Sequence, residues 1–179
     1  LLVLGLGYDV HMKEHKPLEY SLKEAEDKKG IIVADHPFEK DGIGNYLLQN
    51  QDLGVFLDAV EVFNGETSLF PRANARAVEL YQKLKNNYPF LGALSSSDGH
   101  SFYELGRNWT EIDKPFLLQN SDFVPSLKSA IRRTDLQTTR QNRASRIGAL
   151  DHALDLIWIC KIAHKIGLRK LFETDGPEF

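Results

Sequence analysis

The sequence predicts an α/β protein built on a parallel sheet. Short runs of β-branched and small apolar residues alternate with helical patterns along the chain, and this order is typical of βαβ units. Individual Gly and Pro residues mark the points where these segments start or stop. With 179 residues, of which 42% are hydrophobic, the chain is long enough to bury a core, and a single compact domain is the default expectation.

The first half of the chain predicts three strands and two helices. We expect strands over residues 1–7, 30–36 and 57–63, where apolar residues run together. A helix is expected over 18–29, because Leu18, Leu22 and Ala25 form one stripe and Gly30 provides a stop. A short helix is expected over 43–51.

The second half predicts two more strands and two more helices. Strands are expected over 91–96 and, as a short one, over 109–112. A helix is expected over 71–86, since Pro71 suits a first turn and a stripe of apolar residues follows: Ala73, Ala77, Leu80, Tyr81 and Leu84. A further helix is expected over 123–133.

Residues 140–166 predict a long apolar helix. Too many of its side chains are apolar for the surface helix of a small isolated domain: Ile147, Leu150, Leu154, Ile157, Trp158 and Ile162. The apolar side chains of this helix must therefore pack against another surface. The candidates are the wall of the domain, a preceding part of the protein, or a second copy of the chain in a homo-oligomer.

Charge divides the chain unevenly. The formal net charge is −3, but residues 1–125 carry −7 and residues 126–179 carry +4. Six basic residues cluster between 128 and 146: Lys128, Arg132, Arg133, Arg140, Arg143 and Arg146. We favour a solvated face over a footprint for phosphate or nucleic acid, because aromatic stacking residues are not interleaved.

The remaining composition points to a cytoplasmic protein. The single cysteine, Cys160, excludes an internal disulfide framework and fits a reducing compartment. Its apolar neighbours indicate a packed residue rather than a nucleophile. No apolar run reaches membrane-spanning length, and the opening run lacks the basic flank of a signal peptide.

A candidate metal-binding pair follows the strand predicted over 91–96. Asp98 and His100 are two residues apart, so in extended backbone their side chains point to the same face. A carboxylate oxygen and an imidazole nitrogen could then bind one cation together. Alone, Asp-x-His is a weak signal, because an Asp beside Gly99 is also a common turn residue.

Polar residues also stand at the ends of two other predicted strands. His36 precedes Pro37, which cannot continue a central strand. Glu61 and Asn64 belong to the run over 57–63 and its end. Strand ends on one edge of a parallel α/β sheet or barrel are where such folds place their chemistry.

Together these segments resemble the second half of a PHP domain, the polymerase and histidinol phosphatase superfamily of metal-dependent phosphoesterases. The resemblance rests on ADHPF (34–38), DAVEVFNG (58–65) and SDGHS (97–101), followed by Glu104-Leu105-Gly106 and Thr110, and it covers about residues 1–133. It implies the C-terminal part of a distorted seven-stranded β/α barrel that holds up to three divalent ions.

The resemblance implies metal ligands at His36, Asp98 and His100, and no catalytic residue beyond the ligands. Such a site would hydrolyse a phosphate ester, for example that of a nucleotide or a nucleic-acid end. Mixed nitrogen and oxygen ligands suit Mn, Fe or Zn equally.

Further candidates stand at or just after the same predicted strands. Asp35 and Asn64 would orient ligands, and Glu61 would belong to the same supporting set. Arg72 or Arg76, at the start of the helix after Asn64, could pair with a substrate phosphate. We favour a surface ion pair for either arginine.

The sequence departs from the family pattern at its beginning. The His-x-His strand and the other early ligands of a PHP domain are not among these 179 residues. We therefore expect a fragment with an incomplete site: a partial barrel over residues 1–135 and a helical extension over 136–179. A degenerate, non-catalytic PHP module with a structural or binding role is the alternative. An unrelated amidohydrolase-like barrel is a distant third.

Overall fold

The computed structural model describes residues 1–65, 71–99, 105–112 and 123–141. Within these ranges the fold is mixed α/β, with a four-stranded sheet in the order β1-β2-β3-β4 and a separate two-stranded sheet, β5-β6. The elements in chain order are β1 (Leu2–Leu4), α1 (Leu18–Asp27), β2 (Ile31–Ala34), α2 (Gly44–Gln49), a 3-10 helix (Gln51–Phe56), β3 (Ala59–Asn64), α3 (Pro71–Asn87), β4 (Gly92–Ser96), β5 (Asn108–Thr110), α4 (Phe123–Ile131) and β6 (Thr139–Gln141).

Strands β2, β3 and β4 are parallel neighbours, as predicted. Val33 lies opposite Ala59, and Val60 lies opposite Ala93. Parallel pairing brings the carboxyl ends of the three strands to one edge of the sheet, called the carboxyl edge below. The described residues contain no closed barrel.

Strand β1 is antiparallel to β2, so the prediction of a wholly parallel sheet was wrong there. Leu2 lies opposite Val33 and Leu4 opposite Ile31. The strand ends at Leu4, and the next residue is Gly5, whose φ of +80° suits glycine. The chain then runs through a long non-helical segment before α1 begins at Leu18. A segment of this length permits either strand direction, so the order of elements alone could not decide it.

Helices α1, α2 and α3 cover one face of the sheet. The predicted apolar stripes of α1 and α3 are buried there, with Leu18 of α1 partly so. They pack against alternate strand residues, which include Ile32, Val60 and Ala93. Every second strand residue faces these helices because successive side chains point to opposite faces.

Helix α4 covers the second face of the sheet. Its Val124, Leu127 and Ile131 belong to a cluster with Ile31 and Val33. The four-stranded sheet is therefore packed on both faces within the described residues. No helix in these ranges is both long enough and apolar enough to cross a membrane.

A buried carboxylate fixes α4 to the start of β3. Asp58 is fully buried, and its two oxygens lie 2.6 Å from Nε of Arg132 and 3.1 Å from Nζ of Lys128. The backbone N–H of Ile32 also donates to Asp58, over 2.8 Å. Three donors therefore compensate the loss of water around this charge.

The long helix predicted over 140–166 does not begin at Arg140. Arg140 lies in β6 opposite Trp109 of β5, and its guanidinium binds both carboxylate oxygens of Glu111, at 2.6 and 3.1 Å. Cross-strand pairing outweighs the helical pattern at this point. The rest of the predicted helix, with Cys160, lies outside the described residues.

We predict that Asp58→Ala lowers the free energy of unfolding by about 1–3 kcal/mol, because it leaves the buried N–H of Ile32 without an acceptor and removes the partner of Lys128 and Arg132. Urea denaturation measures this change. The matched control is Glu79→Ala, which breaks an exposed pair with Lys83 and should cost less than about 0.5 kcal/mol. Equal losses in the two variants would contradict the prediction.

Candidate functional site

The carboxyl edge of the sheet brings together side chains from three strand ends. Asp35 and His36 follow β2, Asn64 ends β3, and Asp98 follows β4. Glu61 lies within β3 and hydrogen-bonds to groups from the other two strands. Four of the predicted site residues, His36, Glu61, Asn64 and Asp98, are thus joined by a continuous chain of hydrogen bonds.

Glu61 is the centre of this chain. Its side chain is only 4% exposed. One carboxylate oxygen accepts from Oγ of Ser96 over 2.5 Å. The other accepts from the backbone N–H of His36 over 2.7 Å and from Nδ2 of Asn64 over 3.2 Å.

Burial raises the pKa of Glu61 to about 7, well above its ordinary value of 4.5. The three hydrogen bonds favour the charged form and hold the pKa lower than burial alone would. The nearby charge of Asp35 adds a smaller upward contribution.

Asn64 connects Glu61 to the loop that follows β4. Its Nδ2 also donates to Oδ2 of Asp98, over 3.0 Å. Its backbone is held by Asn74 of α3, which accepts from the N–H of Asn64 over 3.0 Å and donates to its C=O over 3.1 Å. The first turns of α3 are therefore fixed to the end of β3.

His36 presents its two ring nitrogens to different surroundings. Nε2 lies 3.0 Å from Oδ2 of Asp35. Nδ1 is buried, makes no hydrogen bond, and lies 3.5 Å from Oε2 of Glu39. A carboxylate on one imidazole nitrogen orients the ring and leaves the other nitrogen for a metal ion. The environment of His36 therefore fits the role of a metal ligand.

Both His36 and Asp98 have left-handed backbone conformations, with φ of +24° and +45° respectively. Such values cost about 1–3 kcal/mol in a residue other than glycine, and they concentrate at functional sites. The two strained residues at this edge are the two described residues predicted to bind metal.

The third predicted ligand, His100, lies outside the described residues. Within the described ranges, no group of three or more His, Cys, Asp or Glu side chains is arranged to hold a metal ion. The convergence of His36, Asp98 and His100 on one cation stays a prediction.

The two candidate phosphate-binding arginines differ in their surroundings. Arg76 lies over the ring of Phe38, 4.1 Å from its centre, and donates to Oδ1 of Asn45 over 2.5 Å. Arg72 is exposed near the start of α3. Arg76 is therefore held against the segment that follows His36.

Sequence reasoning missed three residues of this site. Ser96 donates to Glu61, Asn74 fixes Asn64, and Glu39 lies near His36. Ser96 carried a usable signal, because it is a polar residue that ends a predicted strand. The role of Asn74 depends on where α3 packs, which no local pattern reveals.

Several basic residues of the 128–146 cluster are engaged in ion pairs. Lys128 and Arg132 bind Asp58, and Arg140 binds Glu111. Arg143 and Arg146 lie outside the described residues. Lys128 and Arg132 thus contact a buried carboxylate and are not simply part of a solvated face; the nucleic-acid alternative for this cluster stays a prediction.

No protein-family model matches the chain, and comparisons with curated proteins and with solved structures find no similar protein either.

We predict a pH-dependent cost of ionising Glu61. Since its pKa is raised from 4.5 to about 7, the folded protein holds a proton that the unfolded chain has lost, and stability falls as pH rises through this window. The stability of Glu61→Gln relative to the parent protein should increase by up to about 3 kcal/mol between pH 4.5 and 8.

Urea denaturation of both proteins across this pH range, in the presence of a chelator, measures the difference. Asp35→Asn is the control for the smaller influence of the Asp35 charge on Glu61. It should reproduce only a minor part of the change in stability with pH. A difference between parent and Glu61→Gln that does not vary with pH would contradict the prediction.

Proposed function

We propose that the complete protein hydrolyses phosphate esters in a metal-dependent reaction, and that this chain carries part of the site. The observation that carries the proposal is the environment of His36. Asp35 holds one ring nitrogen and the other is buried without a hydrogen bond. The same hydrogen-bonded network includes Asp98.

In this proposal His36, Asp98 and His100 hold divalent ions, with Mn, Fe or Zn as candidates. Bound divalent ions would lower the pKa of a water molecule and stabilise the anionic oxygens of the phosphate. The chain's own residues orient this site: Asp35 holds the ring of His36, and Asn64 holds the carboxylate of Asp98. The substrate would be a phosphate ester such as that of a nucleotide or a nucleic-acid end.

The arrangement of strands and helices is compatible with the C-terminal part of a β/α barrel. Three parallel strands carry α1, α2 and α3 on one face, as the outer face of a barrel does. The second face, with Ile31, Val33 and Ala59, would then point toward the barrel interior.

A non-catalytic binding or structural module is the second candidate, and the position of α4 favours it. Val124, Leu127 and Ile131 already cover the face that would line a barrel. A sheet packed on both faces can bury its core without further strands. The two candidates differ in whether the carboxyl edge binds metal and supports turnover.

We predict that the complete protein hydrolyses a generic phosphate ester, loses this activity on chelation, and regains it with Mn or a similar ion. His100→Ala should reduce the rate by orders of magnitude while the protein remains folded, because a ligand is removed rather than a core side chain. His36→Ala should also reduce the rate of hydrolysis. For the 179-residue chain alone we expect weak metal binding and little or no turnover.

His15→Ala is the matched control, since His15 is exposed (96% of its side chain) and pairs with an exposed carboxylate, that of Glu14. It should leave metal content and rate unchanged. Folded complete protein that binds no divalent ion would favour the non-catalytic module. Tight stoichiometric metal and robust turnover in this chain alone would show that other residues complete the site.

A further inference from the structure

We propose that Glu61 is a positioning residue that couples the two candidate ligand loops: it holds the backbone of His36 and, through Asn64, the side chain of Asp98. This inference rests on the proposed metal-dependent function and adds a part to it. Glu61 acts through a backbone N–H and a side-chain amide, and is not itself a ligand.

The first step concerns the loop after β2. His36 has a φ of +24°, a conformation that a residue other than glycine keeps only when its surroundings enforce it. The N–H of His36 donates to Glu61 over 2.7 Å. This bond fixes the peptide that precedes the His36 ring and so limits where the ring can lie.

The second step concerns the loop after β4. Asn64 has two amide protons on Nδ2, which serve Glu61 at 3.2 Å and Asp98 at 3.0 Å. Asn74 holds the backbone of Asn64 from α3. The position of the Asp98 carboxylate is therefore set from β3, through an amide that Glu61 orients.

The third step concerns why Glu61 supports the ligands and does not bind metal itself. Its two oxygens already accept three hydrogen bonds from Ser96, His36 and Asn64, which occupies most of a carboxylate's acceptor sites. The pairing of β3 with β4 shifts register between Glu61 and Phe63. Irregularities of this kind re-aim side chains beside functional sites.

The test compares three variants of the 179-residue chain by Mn²⁺ titration and by the NMR signal of the His36 amide. Glu61→Leu keeps a side chain of similar volume and removes both carboxylate oxygens, which are the acceptors for Ser96, His36 and Asn64. It should lower Mn²⁺ affinity about 10–100-fold and remove the hydrogen-exchange protection of the His36 amide. Glu61→Gln keeps an amide oxygen for His36 and Asn64, and should retain the protection and bind Mn²⁺ within about 3-fold of the parent.

Asp58→Asn is the matched control, because Asp58 is a second buried carboxylate beside β3 that contacts α4 and β2 instead of the ligand loops. It should lower stability without changing Mn²⁺ affinity or His36 protection. If Glu61→Leu does not fold, Asn64→Ala replaces it. Asn64→Ala removes the link to Asp98 and should weaken Mn²⁺ binding, whereas Asp58→Asn leaves that link in place and should not.

The two proposals fail in different ways. A Glu61→Leu protein with parental Mn²⁺ affinity and a protected His36 amide overturns the positioning role. A complete protein without any Mn²⁺ affinity overturns the proposed function. The positioning role is then decided by hydrogen exchange of the His36 amide in the metal-free protein. Loss of protection in Glu61→Leu, with protection retained in Glu61→Gln and Asp58→Asn, supports the role. Unchanged protection in Glu61→Leu overturns it.

Discussion

The parallel pairing of β3 with both β2 and β4 is the constraint on which the rest of the structure depends. Because β3 lies between its two neighbours, both His36 and Asp98 hydrogen-bond to a side chain of β3. The loops that carry His36 and Asp98 belong to different strands and are distant in sequence. They share a site only because β3 fixes the separation and direction of the strands that precede them.

Two buried carboxylates with different surroundings belong to β3: Asp58 directly precedes the strand and Glu61 lies within it. Asp58 faces two cations and a backbone N–H, so its charge is compensated and serves to attach α4. Glu61 faces three uncharged donors, and its pKa rises to about 7. Uncharged donors orient a carboxylate without fully replacing the water it loses. The first carboxylate is therefore suited to stability, and the second to arranging the groups around it.

Much of this fold could be predicted from local pattern. The helices expected over 18–29, 43–51 and 71–86 and the strands at the centre of the sheet are present, because their apolar spacing matches the faces they bury. The direction of β1, the 3-10 helix and β6 could not be predicted. Each depends on which element the segment meets in space, as Arg140 does when it pairs with Trp109 and Glu111.

In the candidate site, too, the residues could be predicted from the sequence but the contacts between them could not. His36, Glu61, Asn64 and Asp98 were predictable because each is a polar residue in or just after an apolar strand. Their connections were not, since the N–H of His36 and the amide of Asn64 reach Glu61 only through the register of neighbouring strands. A sequence pattern names the residue types at a strand end but not which backbone group a side chain will bind. Asn74 and Glu39 were missed for this reason.

The charges around His36 favour a cation at this edge. Asp35 lies against one ring nitrogen, and Glu39 approaches the other at 3.5 Å without a hydrogen bond. Two carboxylates therefore lie beside one imidazole ring, and their negative charge attracts a cation. In the proposed function, a metal ion at this edge would supply the positive charge that these carboxylates attract.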